Sequence, residues 1–378
     1  MSAAREHIAE TLLSLMGPAP RAVADGDWPA ITAMAAEHRL VPHLHARLGR
    51  GELDIVLPDA LREEWAVAAR ASAMEALAHR AELKRLIPLL EGAGFAPVAL
   101  KGAWLAWHAY PQAGERPVRD IDLLLPGGQA REAQGFLLGE GYTLLPTEGD
   151  PHAQDATPKH EAPLLAPSGV LLELHRHAWD PPGVQAVPGP ALADAAIAAR
   201  AVREDGIAYP VPADMFAHLV THAAYSHRFD VGPLLLADID YLLDARPLDW
   251  PAIWVRADEE RWQRGAALVL ALVERWRRPG VLAESGCPVA VEDSAVEAAS
   301  RLLTQPLGAR QDAGIASAVG QAWQDTGIAG VARLAADRLA RPGAASRIVG
   351  AAGSMAKRST RATAADATRV DRWLAEVQ

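Results

Sequence analysis

The chain has 378 residues, half of them apolar, and a formal net charge of −10. That is enough apolar mass for a large core, and the acidic balance excludes broad electrostatic binding to nucleic acid while leaving room for a local basic patch. A single cysteine, Cys287, excludes an intramolecular disulfide framework; no run reaches the roughly 20 apolar residues of a membrane span, and the first residues have neither a basic n-region nor a long apolar h-region, so the cytoplasm is the expected compartment.

Residues 1 to 92 read as helices rich in Ala, Leu, Glu and Arg, ending in a long amphipathic segment from Leu61 to about Glu91. Phe95 to Leu100 follows as a short buried strand, then a turn at Lys101-Gly102, then a helix over Ala103 to Tyr110. A strand, a glycine turn and a helix N-terminus predict an anion site, because free backbone N–H groups and the helix dipole face the turn. Arg119-Asp120-Ile121-Asp122 then opens a second apolar run. Two carboxylates two positions apart on a strand share a face, about 7 Å apart along the backbone, and can share one cation or a pair of cations.

A helix over Gln129 to Glu140 separates this strand from a hairpin turn at Ser168-Gly169 and a strand over Val170 to His175. There Val170, Leu172 and Leu174 alternate with Leu171, Glu173 and His175, so Glu173 is an acid inside an otherwise apolar strand. A buried carboxylate needs a cation, a hydrogen-bond network or a metal. Pro181-Pro182-Gly183 and Pro188-Gly189-Pro190 mark a loop, and Ile207 to Val211 reads as a strand. Helices are expected over Asp214 to His227, Leu234 to Leu243, Trp250 to Arg261 and Ala266 to Trp276. The last hundred residues hold an Ala-rich helix at Ile328 to Leu339 and an Arg-rich tail or surface helix at Lys357 to Arg369. The pattern divides the chain into a helical region (1–92), a mixed α/β unit (93–180), a helical region (181–280) and a C-terminal extension (281–378).

Thirteen histidines raise a zinc reading, for which His175/His177 and His218/His222 are the candidates. The second pair lacks the glutamate of an H-E-x-x-H motif and lies in Phe216 to Val220, which reads as an amphipathic core helix. The eleven tryptophans fall mostly at helical spacing among aliphatics, as core residues do.

Leu100-Lys101-Gly102, Tyr110-Pro111, Arg116, Arg119-Asp-Ile-Asp-Leu-Leu124, His160 and Glu173-Leu174-His175 together resemble the DNA polymerase beta-like nucleotidyltransferase superfamily, and within it a bacterial group of nucleotidyltransferases. The resemblance covers roughly residues 80 to 260. It implies an α+β fold, with a small mixed β-sheet core flanked by N-terminal and C-terminal helical regions. Most of the superfamily carries Gly-Ser at the phosphate turn; Lys101-Gly102 stands there here, so the lysine and backbone N–H groups are expected to replace the hydroxyl.

The resemblance further implies two Mg2+ ions held by Asp120, Asp122 and Glu173 and bridging a nucleoside triphosphate. Glu173 serves as a ligand or also as the base for the acceptor hydroxyl; either role fits the pattern. Arg116 and Arg119 are candidates for the triphosphate, or loop and salt-bridge arginines. His160 and His175 are expected behind the ligands, orienting carboxylates. His222, Tyr225 and Asp238 are the polar residues of the helical region expected nearest the cleft. The expected activity is Mg2+-dependent transfer of a nucleoside monophosphate, AMP from ATP, to a hydroxyl of a protein or small molecule rather than of RNA, with no membrane partner. The rival is a catalytically silent nucleotide-binding or protein-interaction module on the same fold.

Overall fold

The computed structural model describes residues 3–145, 159–179, 194–306 and 358–375. Helices α1 (Ala3–Ser14), α2 (Trp28–Glu37) and α3 (Val41–Gly49) precede α4 (Asp59–Gly92), which contains the expected segment Leu61 to Glu91 and delivers the chain to the sheet. The buried Trp65, Ala76, Leu83, Leu86 and Leu90 recur at helical spacing along it. It stops where Gly94 takes φ 90° and the Phe95 N–H reaches back to the Leu90 carbonyl at 3.0 Å.

Strands β1 (Val98–Ala99), β2 (Ile121–Leu124), β3 (Thr143–Leu144), β4 (Leu164–Leu165) and β5 (Leu171–His175) form one sheet in the order β1-β2-β5-β4-β3. Only β2 and β5 are parallel, and α6 (Gln129–Gly139) lies between them in the chain. Their register sets Ile121 opposite Leu172, Asp122 opposite Glu173 and Leu123 opposite Leu174. Ile121, Leu123, Leu172 and Leu174 are all buried, so the core side of the pair is apolar and the acids share the other side. The turn into β5 falls where expected, with Gly169 at φ 84° and its N–H on the Ala166 carbonyl at 2.9 Å. The result is an α+β fold with a small mixed sheet flanked by helices.

A second, two-stranded sheet pairs β6 (Val202–Glu204) with β7 (Ile207–Tyr209) around Asp205-Gly206, both at positive φ, as a tight hairpin needs. Its first strand was not expected. Helices α7 (Asp194–Arg200), α8 (Pro212–Thr221), α9 (Leu234–Ala245), α10 (Trp250–Glu259), α11 (Gln263–Trp276), α12 (Val281–Glu284) and α13 (Asp293–Leu303) follow, in line with the four expected helices from 214 to 276. Asp249 starts α10 by accepting the Ala252 N–H at 3.2 Å, with Pro251 in the first turn.

Three expectations change. The strand Phe95 to Leu100 pairs only over Val98–Ala99. The helix expected over Ala103 to Tyr110 is a single α turn, α5 (Gly102–Trp104), followed by a π-helical turn over Leu105–Ala109, and α8 likewise runs on as a π turn over His222–Ser226. The Arg-rich segment near the end, expected as a tail or a surface helix, is a helix docked on the core: α14 (Arg358–Ala375) buries Val370, Trp373 and Leu374, its Asp366 takes Arg301 at 2.8 and 3.0 Å, and Arg264 stacks 4.0 Å over the Trp373 ring. The loop around Pro181 to Pro190 and the helix expected at Ile328 to Leu339 lie outside the described residues. Among the described residues no helix is long and apolar enough to cross a membrane, and one contiguous core joins α1, the sheet and α14.

Candidate metal and nucleotide site

The chain enters the site along β1, tied to β2 by the Leu100 N–H on the Asp122 carbonyl at 2.9 Å. It then turns sharply at Lys101, with φ 44° and ψ −115°. That conformation favours glycine, so a lysine there is strained. The unusual backbone of the Lys101-Gly102 turn thus belongs to Lys101 and not to the glycine. Gly102 is needed for a different reason, because a Cβ on it would lie 2.5 Å from Nη1 of Arg116. The strained turn carries the Lys101 ammonium to Asp122, Nζ to Oδ2 3.2 Å.

Asp122 is buried in β2, and its other oxygen, Oδ1, accepts a hydrogen bond from Nε2 of His175 at 2.7 Å. The same Nε2 is 3.6 Å from Glu173 Oε2. One oxygen from each of Asp122 and Glu173 and one nitrogen of His175 lie within 4.8 Å of one another. Burial opposes ionisation of Asp122, but Lys101 and His175 outweigh it and hold its pKa well below the usual carboxylate range. His175 lowers the Glu173 pKa against burial and the Asp122 charge. Burial likewise disfavours the charged His175 ring, and the two carboxylates reverse that, raising its pKa.

Asp120 stands just before β2. Burial, then the charges of Asp122 and Glu173, push its pKa up to about 6, with Lys101 and Arg119 only partly offsetting them. One member of this group of acids thus remains uncompensated by the protein's own cations. A donor set rich in carboxylate oxygen with surplus negative charge suits a hard divalent ion. Among the described residues the group placed to hold it is Asp122, Glu173 and His175, and Asp120, the third expected ligand, is not a member of that group.

Arg116 is not presented loosely to solvent. Its Nε and Nη2 donate to Asp238 on α9 at 2.7 and 2.8 Å, Tyr110 O–H donates to the same carboxylate at 2.7 Å, and Nη1 is the nitrogen beside Gly102. Asp238, expected near the cleft, thus fixes a guanidinium against the Lys101-Gly102 turn. Arg119 is exposed. His160 sits at a bridge to His175, its ring 5.5 Å away. Of the other two residues expected near the cleft, Tyr225 accepts the Gly265 N–H at 3.1 Å and packs into the helical core, while His222 stacks with His218.

Two residues outside the expected nucleotide and Mg2+ set stand near this centre. Lys159 is buried, its carbonyl accepting the Arg176 N–H at 2.8 Å and its ammonium 3.5 Å from the Ser226 hydroxyl. His218, read as a core residue, is fully buried with Lys101, Lys159, Asp122 and His175 all in electrostatic reach. The adjacency of Lys159 to His160 was the available signal for the first. For the second it was the i, i+4 pairing with His222 on an otherwise apolar helix.

A family model described as uncharacterised nucleotidyltransferase matches residues 24–278, well over half of the chain. The chain belongs to that family, which carries a general role in nucleotidyl transfer. A comparison with curated proteins finds no match.

Proposed function

We propose that this protein transfers a nucleoside monophosphate, AMP from ATP, to a hydroxyl of a cytoplasmic protein or small molecule, with Mg2+ at Asp120, Asp122 and Glu173. The observation that carries this reading is the parallel register setting Asp122 beside Glu173, with Asp120 two residues away and its carboxyl driven up to about 6 by burial and then by their charge. Divalent ions bound there supply charge neutralisation for the triphosphate and a more acidic acceptor hydroxyl. Lys101 guides the triphosphate to the turn and Arg119 meets it from the solvent side. Arg116, braced by Asp238, keeps the turn in shape. Glu173, the more accessible of the two paired strand acids, takes the hydroxyl proton.

A specific observation favours the silent module as a second reading: the Lys101 ammonium already neutralises Asp122. The two separate in a thermal-shift titration with ATP and Mg2+, followed by incubation with cell extract and α-labelled ATP. Mg2+-dependent stabilisation with label transfer and pyrophosphate release is expected, both abolished in Asp120→Asn. Stabilisation without transfer favours the silent module, and no nucleotide binding in the presence of Mg2+ sinks both.

A further inference from the structure

Outside the carboxylates, the largest unexplained polar feature is a row of imidazoles on α8 and the π turn that continues it. His218 and His222 stack at 5.9 Å and 27°, and the His227 ring lies 4.2 Å from that of His222. Both ring nitrogens of His218 are buried without a hydrogen-bond partner, and so is Nδ1 of His222. A buried polar atom without a partner is destabilising, so the arrangement asks for a ligand.

The chemistry around the rings selects the ligand. Lys101 and Lys159 both act electrostatically on each of the two rings, with Asp122, the ion-pair partner of Lys101, opposing them at His218. Two ammonium groups disfavour a second cation. No third ligand joins the pair either, since the cluster able to hold a metal among the described residues is the one at Asp122. What suits two ammonium groups and imidazole N–H donors is a multiply charged anion with several acceptor oxygens.

We infer that Lys159, His218 and His222 form, with Lys101, a seat for the β- and γ-phosphates of the nucleotide, supplied by the helical region to the sheet. This rests on the nucleotidyl-transfer reading for the identity of the anion as a triphosphate tail. The turn at Lys101 then faces the phosphates on one side and the helix faces them on the other. Phosphate oxygens accept the one N–H that each neutral ring carries.

Calorimetric titration of the full chain with ATP, AMP and inorganic tripolyphosphate in Mg2+ tests this, using His218→Phe and His222→Phe, which keep a ring in the stack. Each variant is expected to bind ATP and tripolyphosphate at least about tenfold more weakly while AMP affinity holds. Their unliganded melting temperatures should stay level or rise, because a buried unpaired nitrogen has gone. Unchanged ATP and tripolyphosphate affinity in both variants overturns the seat and leaves nucleotidyl transfer standing, as does an equal loss for AMP. A wild-type protein that binds neither ATP nor tripolyphosphate overturns both. Should a variant fail to fold, the ring 15N resonances of His218 and His222 in the wild type decide: they shift as tripolyphosphate is added, and resonances that stand still overturn the seat.

Discussion

Single residues divide the acidic centre into members with opposite effects on stability. Asp122 is held by Lys101 and His175, whereas Asp120 carries the repulsion the others leave. In metal-free buffer Asp120→Asn should therefore raise the melting temperature, and Asp122→Asn should lower it, by about 1–3 kcal/mol of stability for a buried charge pair broken on one side. Equal signs in thermal denaturation would mean the charges are not distributed this way. Lys101 separates strain from charge. Lys101→Ala loses the ammonium and keeps the strained backbone, while Lys101→Gly loses both, so the glycine variant should be more stable by about 1–2 kcal/mol in urea titration. At the neighbouring position, Gly102→Ala must displace a guanidinium pinned by Asp238, and should be destabilising by about 1–3 kcal/mol. A destabilisation that persists undiminished in Asp238→Ala would show that Arg116 is not what the new methyl meets. The shared face of Asp122 and Glu173 was legible because strand alternation fixes it from local spacing alone, whereas Asp120 stands before the strand and outside the metal group. The strain at Lys101 was not, since positive φ at a non-glycine residue is imposed by what surrounds it.

Among the elements, the long-period and strict-period segments were the readable ones. Helix α4 and strand β5 repeat a simple pattern over enough residues to declare themselves, whereas β3 and β4 are two residues each and depend on tertiary pairing. The π turns were invisible for a related reason: an extra residue in a helix leaves no local mark, and only the bonds from Tyr110 N–H to Leu105 and from His227 N–H to His222, both 3.0 Å, reveal it. The short 3₁₀ turn Ala113–Glu115 carries an element-scale prediction. It inserts Glu115 between α3 and α9, where Arg50 donates at 2.7 and 2.8 Å, Tyr241 O–H at 3.0 Å, and His43 Nδ1 lies 3.1 Å away. Burial raises the Glu115 pKa, but His43 and Arg50 overcome it and lower it to about 2. A depressed carboxylate adds stability above its unfolded pKa, near 4.5, and loses it as pH falls toward 2, amounting to about 3 kcal/mol. Denaturant midpoints should drop over that window in the wild type and much less in Glu115→Gln, which starts lower at neutral pH. Parallel curves would place the acid sensitivity elsewhere.

At the scale of the whole molecule, α9 ties separate stretches of chain together within a few residues. Asp238 holds Arg116 and Tyr110 from the stretch between β1 and β2, Tyr241 meets Glu115 and Arg50, and Asp240 accepts Arg277, whose Nη1 also donates to the Met16 carbonyl at 2.8 Å. These ties were hidden in the sequence because each joins residues far apart in the chain. A helix fastened on so many sides has no private way to open. Its amide protons should therefore exchange with deuterium only when the entire protein unfolds, and α9 should report the global free energy directly. Mass-spectrometric exchange under increasing denaturant checks this. The amides of Leu235 to Leu242 should be among the last to exchange and should follow the slope of global unfolding, and early loss of their protection would mean that the helical region opens while the sheet stays closed.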